Sequence, residues 1–305
     1  MADRALVIGK LVVVGVGLIG GSCALALRRA GAVGTVVGVG RTQANLDVAL
    51  ERKVIDRACI LSQSWAHEVA DADVVLVAAP VAQFPAIFRM LAAAAGSATV
   101  ITDAGSTKQD VLAAARANLG AAFSCFVPGH PIAGTEHTGA GAAFPDLFVD
   151  RSVIITPLAE TAAAAVAKVT AMWTACGARV SSLEPARHDA IFAAVSHLPH
   201  VLAFALVADL AARPDASAYF EHAASGFRDF TRIAGGSPEM WRDIALANRT
   251  ALLIEIDRYG DTLAQARTML AAGDGAGLAA LFARASDARR EWDRQRTQPV
   301  ARDGD

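Results

Sequence analysis

Residues 10–22 read Lys10-Leu11-Val12-Val13-Val14-Gly15-Val16-Gly17-Leu18-Ile19-Gly20-Gly21-Ser22, and Ala24-Leu25-Ala26-Leu27 follow. An apolar run ends in Gly-x-Gly-x-x-Gly and passes straight into helix-forming residues. This predicts a buried parallel strand, a tight turn and a helix start. Gly15 permits the sharp turn, Gly17 lets the backbone approach a pyrophosphate, and Gly20 lets the helix pack on the strand. The free N–H groups of that helix start, at Leu18 and Ile19, and its positive end would hold the pyrophosphate. The expected fold is an α/β, Rossmann-type, doubly wound dinucleotide-binding domain.

The pattern outward from this stretch agrees. Residues 35–39, 74–79, 98–103 and 125–127 read as strands, with helical patterns at 42–52, 83–95 and 107–118 between them. Such alternation implies βαβ units and a parallel sheet. Two more strands are expected at 152–156 and 178–183, around an alanine-rich helix stopped by Gly177. From Pro185 to Arg296 no strand is expected. Segments 186–212, 239–271 and 275–296 carry helical periodicity, with breaks at Pro199, Pro214 and Gly235-Gly236. The expected organisation is a nucleotide domain over 1–185, an all-helical domain over 186–296 and a polar tail over 297–305. The helical part carries enough apolar surface to suggest a homodimer.

Bulk properties narrow the class. The chain has 305 residues, a net charge of −2 and four scattered cysteines. No basic block suggests nucleic acid or an anionic membrane. The cysteines form no metal pattern and are expected to be reduced thiols of a cytoplasmic protein. Arg4 and Lys10 before an apolar stretch resemble a signal peptide, but the glycines stand where a cofactor turn needs them, so export is rejected. No uninterrupted apolar run reaches the length of a membrane span, and 69–82 comes nearest.

At the end of the second strand, where an acid usually holds the ribose 2′-hydroxyl of NAD, this chain has Gly40-Arg41-Thr42. A guanidinium there suits a 2′-phosphate through charge-assisted hydrogen bonds, so NADP is favoured and NAD remains possible. Ala79 and Pro80, at the exit of strand 74–79, complete the candidate cofactor contacts.

Four further segments carry chemistry. Asp103-Ala104-Gly105-Ser106-Thr107-Lys108 lies at the carboxyl end of a strand, at the edge where open α/β sheets bind ligands; Ser106 is a candidate contact to cofactor, substrate or a catalytic group and a candidate N-cap of helix 107–118, two roles that can coexist. Phe126-Val127-Pro128-Gly129-His130-Pro131 places His130 in a loop after a strand, exposed at the same edge, with a proton affinity suited to neutral pH. Ser196-His197-Leu198-Pro199-His200 lies in the helical part, where a helix restarts at Pro199. No third metal ligand stands near the two histidines, so no metal is expected. Arg232, in Gly226-Phe227-Arg228-Asp229-Phe230-Thr231-Arg232, suits a carboxylate, although Arg228 and Asp229 read equally as a surface pair.

Together and in this order, Gly15–Ser22, Asp103–Lys108, Gly129-His130-Pro131-Ile132-Ala133-Gly134-Thr135-Glu136, Ser196–His200 and Asp229–Ala234 resemble the prephenate/arogenate dehydrogenase family of tyrosine biosynthesis. Met240–Ile244 and Asn248 resemble it too. The resemblance implies a nucleotide domain, a helical dimerisation domain and an active site between them. It implies oxidative decarboxylation of a cyclohexadiene, with hydride passing to NAD(P)+. On that basis His130 would accept the 4-hydroxyl hydrogen bond and help remove its proton. Ser106 would orient His130 or contact the hydroxyl and nicotinamide. Arg232 would hold a carboxylate, His197 and His200 would line the pocket, and Thr135 and Glu136 would shape its far side, with Glu136 facing the substrate side chain. The resemblance leaves prephenate against arogenate open. The competing readings are a non-catalytic NAD(P)-binding sensor and a β-hydroxyacid-type dehydrogenase.

Overall fold

The computed structural model describes residues 7–135 and 137–297. The apolar run is the centre of the first sheet. Strand β1 (Ile8–Val14) is flanked by β2 (Val33–Gly40) and β4 (Val74–Val77). The six strands run β3-β2-β1-β4-β5-β6, all parallel, with β3 at Arg57–Ile60, β5 at Val100–Asp103 and β6 at Phe126–Val127. The order reverses between β1 and β4, which opens a crevice at their carboxyl ends. Both faces of β1 are covered. Leu11 and Val13 join one core, with helix α1 (Leu18–Arg29) and helix α6 (Ala163–Ala175). Val12 and Val14 join the other, with α3 (Ala66–Val69), α4 (Phe84–Ala94) and α5 (Gln109–Asn118). A strand buried on both sides needs apolar residues at every position, which is why the run does not alternate. Helix α2 (Gln43–Glu51) packs near the β2–β3 edge.

The strands expected at 152–156 and 178–183 exist as β8 (Ser152–Ile155) and β9 (Arg179–Ser182), but they belong to a second sheet. Its third member is β7 (Gly129–Pro131), antiparallel to β8 with His130 opposite Ile154. His130 is therefore in a strand and only 9% exposed. The sequence expectation of an exposed loop at this point is corrected. Two Pro-flanked residues gave no strand signal, and the pairing comes from β8, more than twenty residues on. Strand β3 was also unannounced; its four residues include Arg57 and Cys59 and lack alternation.

The remainder is helical among the described residues. Helix α7 (Pro185–Phe192) runs through a π turn at Ala193–His197 into α8 (Leu198–Ala211). Pro199 sits in the first turn of α8, as expected, yet the chain does not break there. Pro199 lacks the N–H that a regular helix would give to the Val195 carbonyl, and that carbonyl lies inside the π turn. Helices α9 (Ala216–Glu221) and α10 (Ser225–Thr231), a 3-10 turn (Arg232–Gly235) and α11 (Pro238–Ala247) follow. Ser237 caps α11 by accepting the Met240 N–H. Asn248 then separates α11 from α12 (Arg249–Ala272), and α13 (Gly275–Thr297) closes the described chain.

The chain groups into two compact units, Met1–Leu252 and Leu253–Asp305. The first therefore contains α7–α11 with both sheets. The second consists of the rest of α12 with α13, and exposes Leu263, Leu270 and Phe282. The polar tail, apart from Thr297, lies outside the described residues. The helical stretch Pro185–Ala211 is long and apolar enough, by length and composition, to cross a membrane. Counting only uninterrupted apolar runs passed over it, because His188, Asp189, His197 and His200 interrupt it.

Candidate active site

The glycine turn has the form a dinucleotide needs. Gly15 has φ +100°, and a Cβ there would lie 2.5 Å from the Ala78 carbonyl oxygen. A Cβ on Gly20 would lie 2.4 Å from the Gly15 carbonyl oxygen, so strand and helix touch backbone to backbone. Gly17 is the opposite case: a Cβ would meet nothing within 4 Å, and the residue opens α1 with no side-chain cap. The turn is thus closed against β4 and open above the first N–H groups of α1, Leu18 and Ile19 among them. That is a cradle for a pyrophosphate. Gly40 ends β2, and Arg41 and Thr42 follow it, both exposed. A Cβ at Gly40 would lie 2.9 Å from Leu46 Cδ2, so an acid there would have to displace that side chain. Ala79 and exposed Pro80 stand at the end of β4, across the crevice from the glycine turn.

Below this edge lies a buried clamp that sequence reasoning did not identify. Asp103, at the end of β5, accepts hydrogen bonds from the Gly105 N–H (2.7 Å), the Gly129 N–H (3.0 Å) and Lys108 Nζ (2.5 Å). Lys108 Nζ also donates to the Gly129 carbonyl at 2.7 Å. Both side chains are fully buried. One ion pair thus ties the Ser106 loop to the strand that carries His130.

His130 Nδ1 lies 2.8 Å from His188 Nε2, and His188 Nδ1 lies 2.8 Å from Asp189 Oδ1. Phe192 packs against both rings, with centroids at 4.7 and 4.5 Å. Asp189 accepts the N–H groups of Lys108 (2.8 Å) and Gln109 (2.9 Å). It therefore does for α5 what Ser106 was one candidate to do. Among the described residues no hydrogen bond joins Ser106 to His130 or caps α5 from Ser106. Burial, aided by His188, Lys108 and His197, holds the His130 ring well below its ordinary proton affinity. At Asp189 burial pushes upward, but hydrogen bonds from His188, Gln109 and Lys108 outweigh it and hold the carboxyl below its usual range. His188 and Asp189 carried a faint sequence signal: with Arg187 they make a polar triplet in a stretch whose other residues are apolar.

His197 closes the π turn. Its Nδ1 lies 3.1 Å from Asn248 Nδ2, which also donates to the Asp189 carbonyl at 2.8 Å. Burial lowers the His197 pKa to about 4, against an opposing pull from Asp189. His200 Nδ1 donates to the Ser196 carbonyl at 2.9 Å, and its ring stacks on Trp241 with centroids 3.3 Å apart. Burial lowers its proton affinity too, with Arg232 acting in the same direction. His197, His200, Phe204, Trp241 and Arg242 line an apolar cavity of about 230 Å³. Arg232 is exposed at the start of its 3-10 turn, while Arg228 and Asp229 form an exposed pair at 3.5 Å. Thr135 is exposed, its Oγ1 accepting the His137 N–H. Glu136 lies outside the described residues.

A Gly-x-Gly-x-x-Gly turn at the switch point of a parallel sheet, with a buried histidine on the strand tied to the end of β5, is the arrangement of a nucleotide-dependent dehydrogenase. Comparison with known proteins makes this specific. Residues 23–182 match the model of the prephenate dehydrogenase nucleotide-binding domain, and residues 184–284 that of the prephenate dehydrogenase dimerization domain. The chain belongs to the prephenate dehydrogenase family and is an NAD(P)-dependent oxidoreductase of the oxidative-decarboxylation class. It is 34% identical over 281 residues to a cyclohexadienyl dehydrogenase of Zymomonas mobilis, covering 92% of this chain and 94% of that one. It is 34% identical to a prephenate dehydrogenase of Bacillus subtilis, covering 92% and 75%. The structure is similar to prephenate dehydrogenase from Aquifex aeolicus, solved with hydroxyphenyl propionate and NAD+, with a TM-score of 0.85, 32% identity and coverage of 93% and 98%. It is also similar to Synechocystis arogenate dehydrogenase, with a TM-score of 0.78, 30% identity and coverage of 93% and 99%.

Proposed function

We propose that this chain oxidatively decarboxylates prephenate, arogenate or both, giving 4-hydroxyphenylpyruvate or tyrosine, and that it takes NADP+ in preference to NAD+. The observation that carries the reading is His130: a buried, neutral imidazole fixed by the Asp103–Lys108 clamp beside the Ser106 loop.

The residues present fit a dinucleotide: Gly15, Gly17, Leu18, Ile19 and Gly20 form the cradle, with Ala79 and Pro80 across the crevice. Gly40, Arg41 and Thr42 favour a 2′-phosphate, because no carboxylate is present to repel it and no described residue ion-pairs with Arg41. When bound, the nicotinamide accepts a hydride from the ring carbon that bears the 4-hydroxyl.

His130 takes the hydroxyl proton as that carbon becomes a carbonyl. Carbon dioxide leaves C1, its bonding electrons complete the aromatic ring, and the oxygen regains the proton as a phenol. Aromatisation supplies the driving force, so the protein's task is to position and polarise. Ser106 contacts the hydroxyl and nicotinamide. Arg232 holds a substrate carboxylate, and His197 and His200 line the pocket with Thr135 and Glu136 at its far side. The helical segment forms a homodimer, and the protein works in the cytoplasm.

The test is initial rates of nucleotide reduction with prephenate and arogenate each crossed against NAD+ and NADP+. Reduction with NADP+ at the highest kcat/KM supports the proposal. Four inactive combinations with folded protein would overturn it.

A further inference from the structure

His188 is fully buried and Asp189 nearly so, yet the reaction as described uses neither. Their hydrogen bonds fix more than position. The Asp189 carboxylate accepts two backbone N–H groups and has only acceptor oxygens to offer. At 2.8 Å from Asp189 Oδ1, His188 Nδ1 must therefore carry the proton and donate it. A neutral imidazole protonated on Nδ1 has a lone pair on Nε2. With His188 carrying only that proton, its lone pair faces His130 Nδ1 at 2.8 Å, and His130 in turn carries its proton on Nδ1. The remaining nitrogen, His130 Nε2, is left as an acceptor.

We infer that His188 and Asp189 are positioning residues that hold His130 in its Nδ1–H tautomer, so that Nε2 is the base that receives the substrate's hydroxyl proton. This rests on the functional reading of His130 given above. During turnover the proton moves from the hydroxyl oxygen to Nε2 and returns to the same oxygen when it becomes a phenol. While it stays there, His130 is cationic. The ionised Asp189, one imidazole away, then stabilises that charge through the polarised His188. Lys108 and His197 also face His130; Lys108 is neutralised by Asp103, and His197 is held neutral by burial.

The structure shows why the device is built across elements. Asp189 binds the start of α5, directly after the Ser106 loop, and Asn248 binds the Asp189 carbonyl. The anion is thereby anchored to the same loop that approaches the substrate. Phe192 packs against both rings.

The experiment uses the full chain. Long-range ¹H–¹⁵N spectra of uniformly labelled protein distinguish imidazole tautomers, and His130→Asn identifies the His130 signals among the seven histidines. The expected result is a neutral His130 protonated on Nδ1. The kinetic arm compares His188→Leu, His188→Gln and Asp189→Asn. His188→Leu is expected to lower kcat on the order of 10²-fold with KM within about threefold, since the tautomer is no longer selected. His188→Gln recovers part of the loss, because its amide oxygen accepts from Nδ1–H. Asp189→Asn moves the acid limb of the kcat/KM profile to lower pH, because the lost anion no longer favours charge on His130. A His130 protonated on Nε2, a His188→Leu enzyme within about threefold of wild type, or an unmoved acid limb in Asp189→Asn overturns the inference. If His188→Leu does not fold, the wild-type spectrum still decides. An inactive wild-type enzyme would sink the functional reading alone, since the tautomer is read without turnover.

Discussion

Replacing Lys108 by Met tests whether the buried clamp is a true ion pair. Met keeps most of the side-chain volume and removes the charge, leaving Asp103 with the two amides of Gly105 and Gly129. Burial pushes the Asp103 carboxyl upward, and Lys108 is the main force against that push. Without it the carboxylate has two courses. Staying ionised and unpaired costs about 3–5 kcal/mol. Taking up a proton costs about 1.4 kcal/mol for each pH unit above its unfolded pKa of about 3.9, hence about 4 kcal/mol at pH 7 and about 1.5 kcal/mol at pH 5. The variant follows the cheaper course. In the variant, folded Asp103 has a raised pKa and binds more protons than unfolded Asp103. Its stability is therefore greatest below the unfolded pKa and is lost as pH rises. Urea denaturation of both proteins at pH 7 and pH 5 should show a deficit of about 3–4 kcal/mol that narrows to about 1–2 kcal/mol. A deficit below about 1 kcal/mol at pH 7, or one that does not change with pH, would refute the reasoning.

Other consequences can be measured directly. His130→Asn should mainly lower kcat and Arg232→Gln mainly raise KM for substrate; steady-state kinetics with the opposite pattern would dismiss both roles. Arg41→Ala should raise the KM for NADP+ by about 10–100-fold, the worth of a charge-assisted pair of about 1.5–3 kcal/mol, with NAD+ unaffected; equal effects on both nucleotides would count against a 2′-phosphate contact. The His197 pKa lies below its unfolded value of about 6.5, at about 4, so its neutral form favours folding. That contribution is complete above about pH 6.5 and is lost as pH falls towards 4, so His197→Asn should flatten the stability profile over this window.

The nucleotide fold was legible because both signals that encode it are local. A continuous apolar run specifies a strand buried on two faces, and the spacing of Gly15, Gly17 and Gly20 specifies the turn. The segments carrying His130, His197, His200 and Arg232 were legible as phrases, and their order pointed to the family. What the sequence hid is long-range. Strand β7 exists only because β8 pairs with it. The partner of His130 comes from His188, and the cap of α5 comes from Asp189, about eighty residues away from Lys108. No window of neighbouring residues contains such information. Asn248 stood out as part of a family phrase, but its bridge between Asp189 and His197 needed coordinates.

The π turn at Ala193–His197 bears on phase. A regular helix advances about 100° per residue, so nine residues would place His197 on the face opposite His188. The wider turn takes in one extra residue and subtracts about 100°, leaving the two rings roughly 80° apart. Asn248 can then reach both the Asp189 carbonyl and the His197 ring. Deleting Val195 alone would let the turn relax to a regular helix. The eight regular steps that remain also leave His188 and His197 about 80° apart, so the extra residue is taken up locally and His197, His200 and the wall of the cavity would keep their facing.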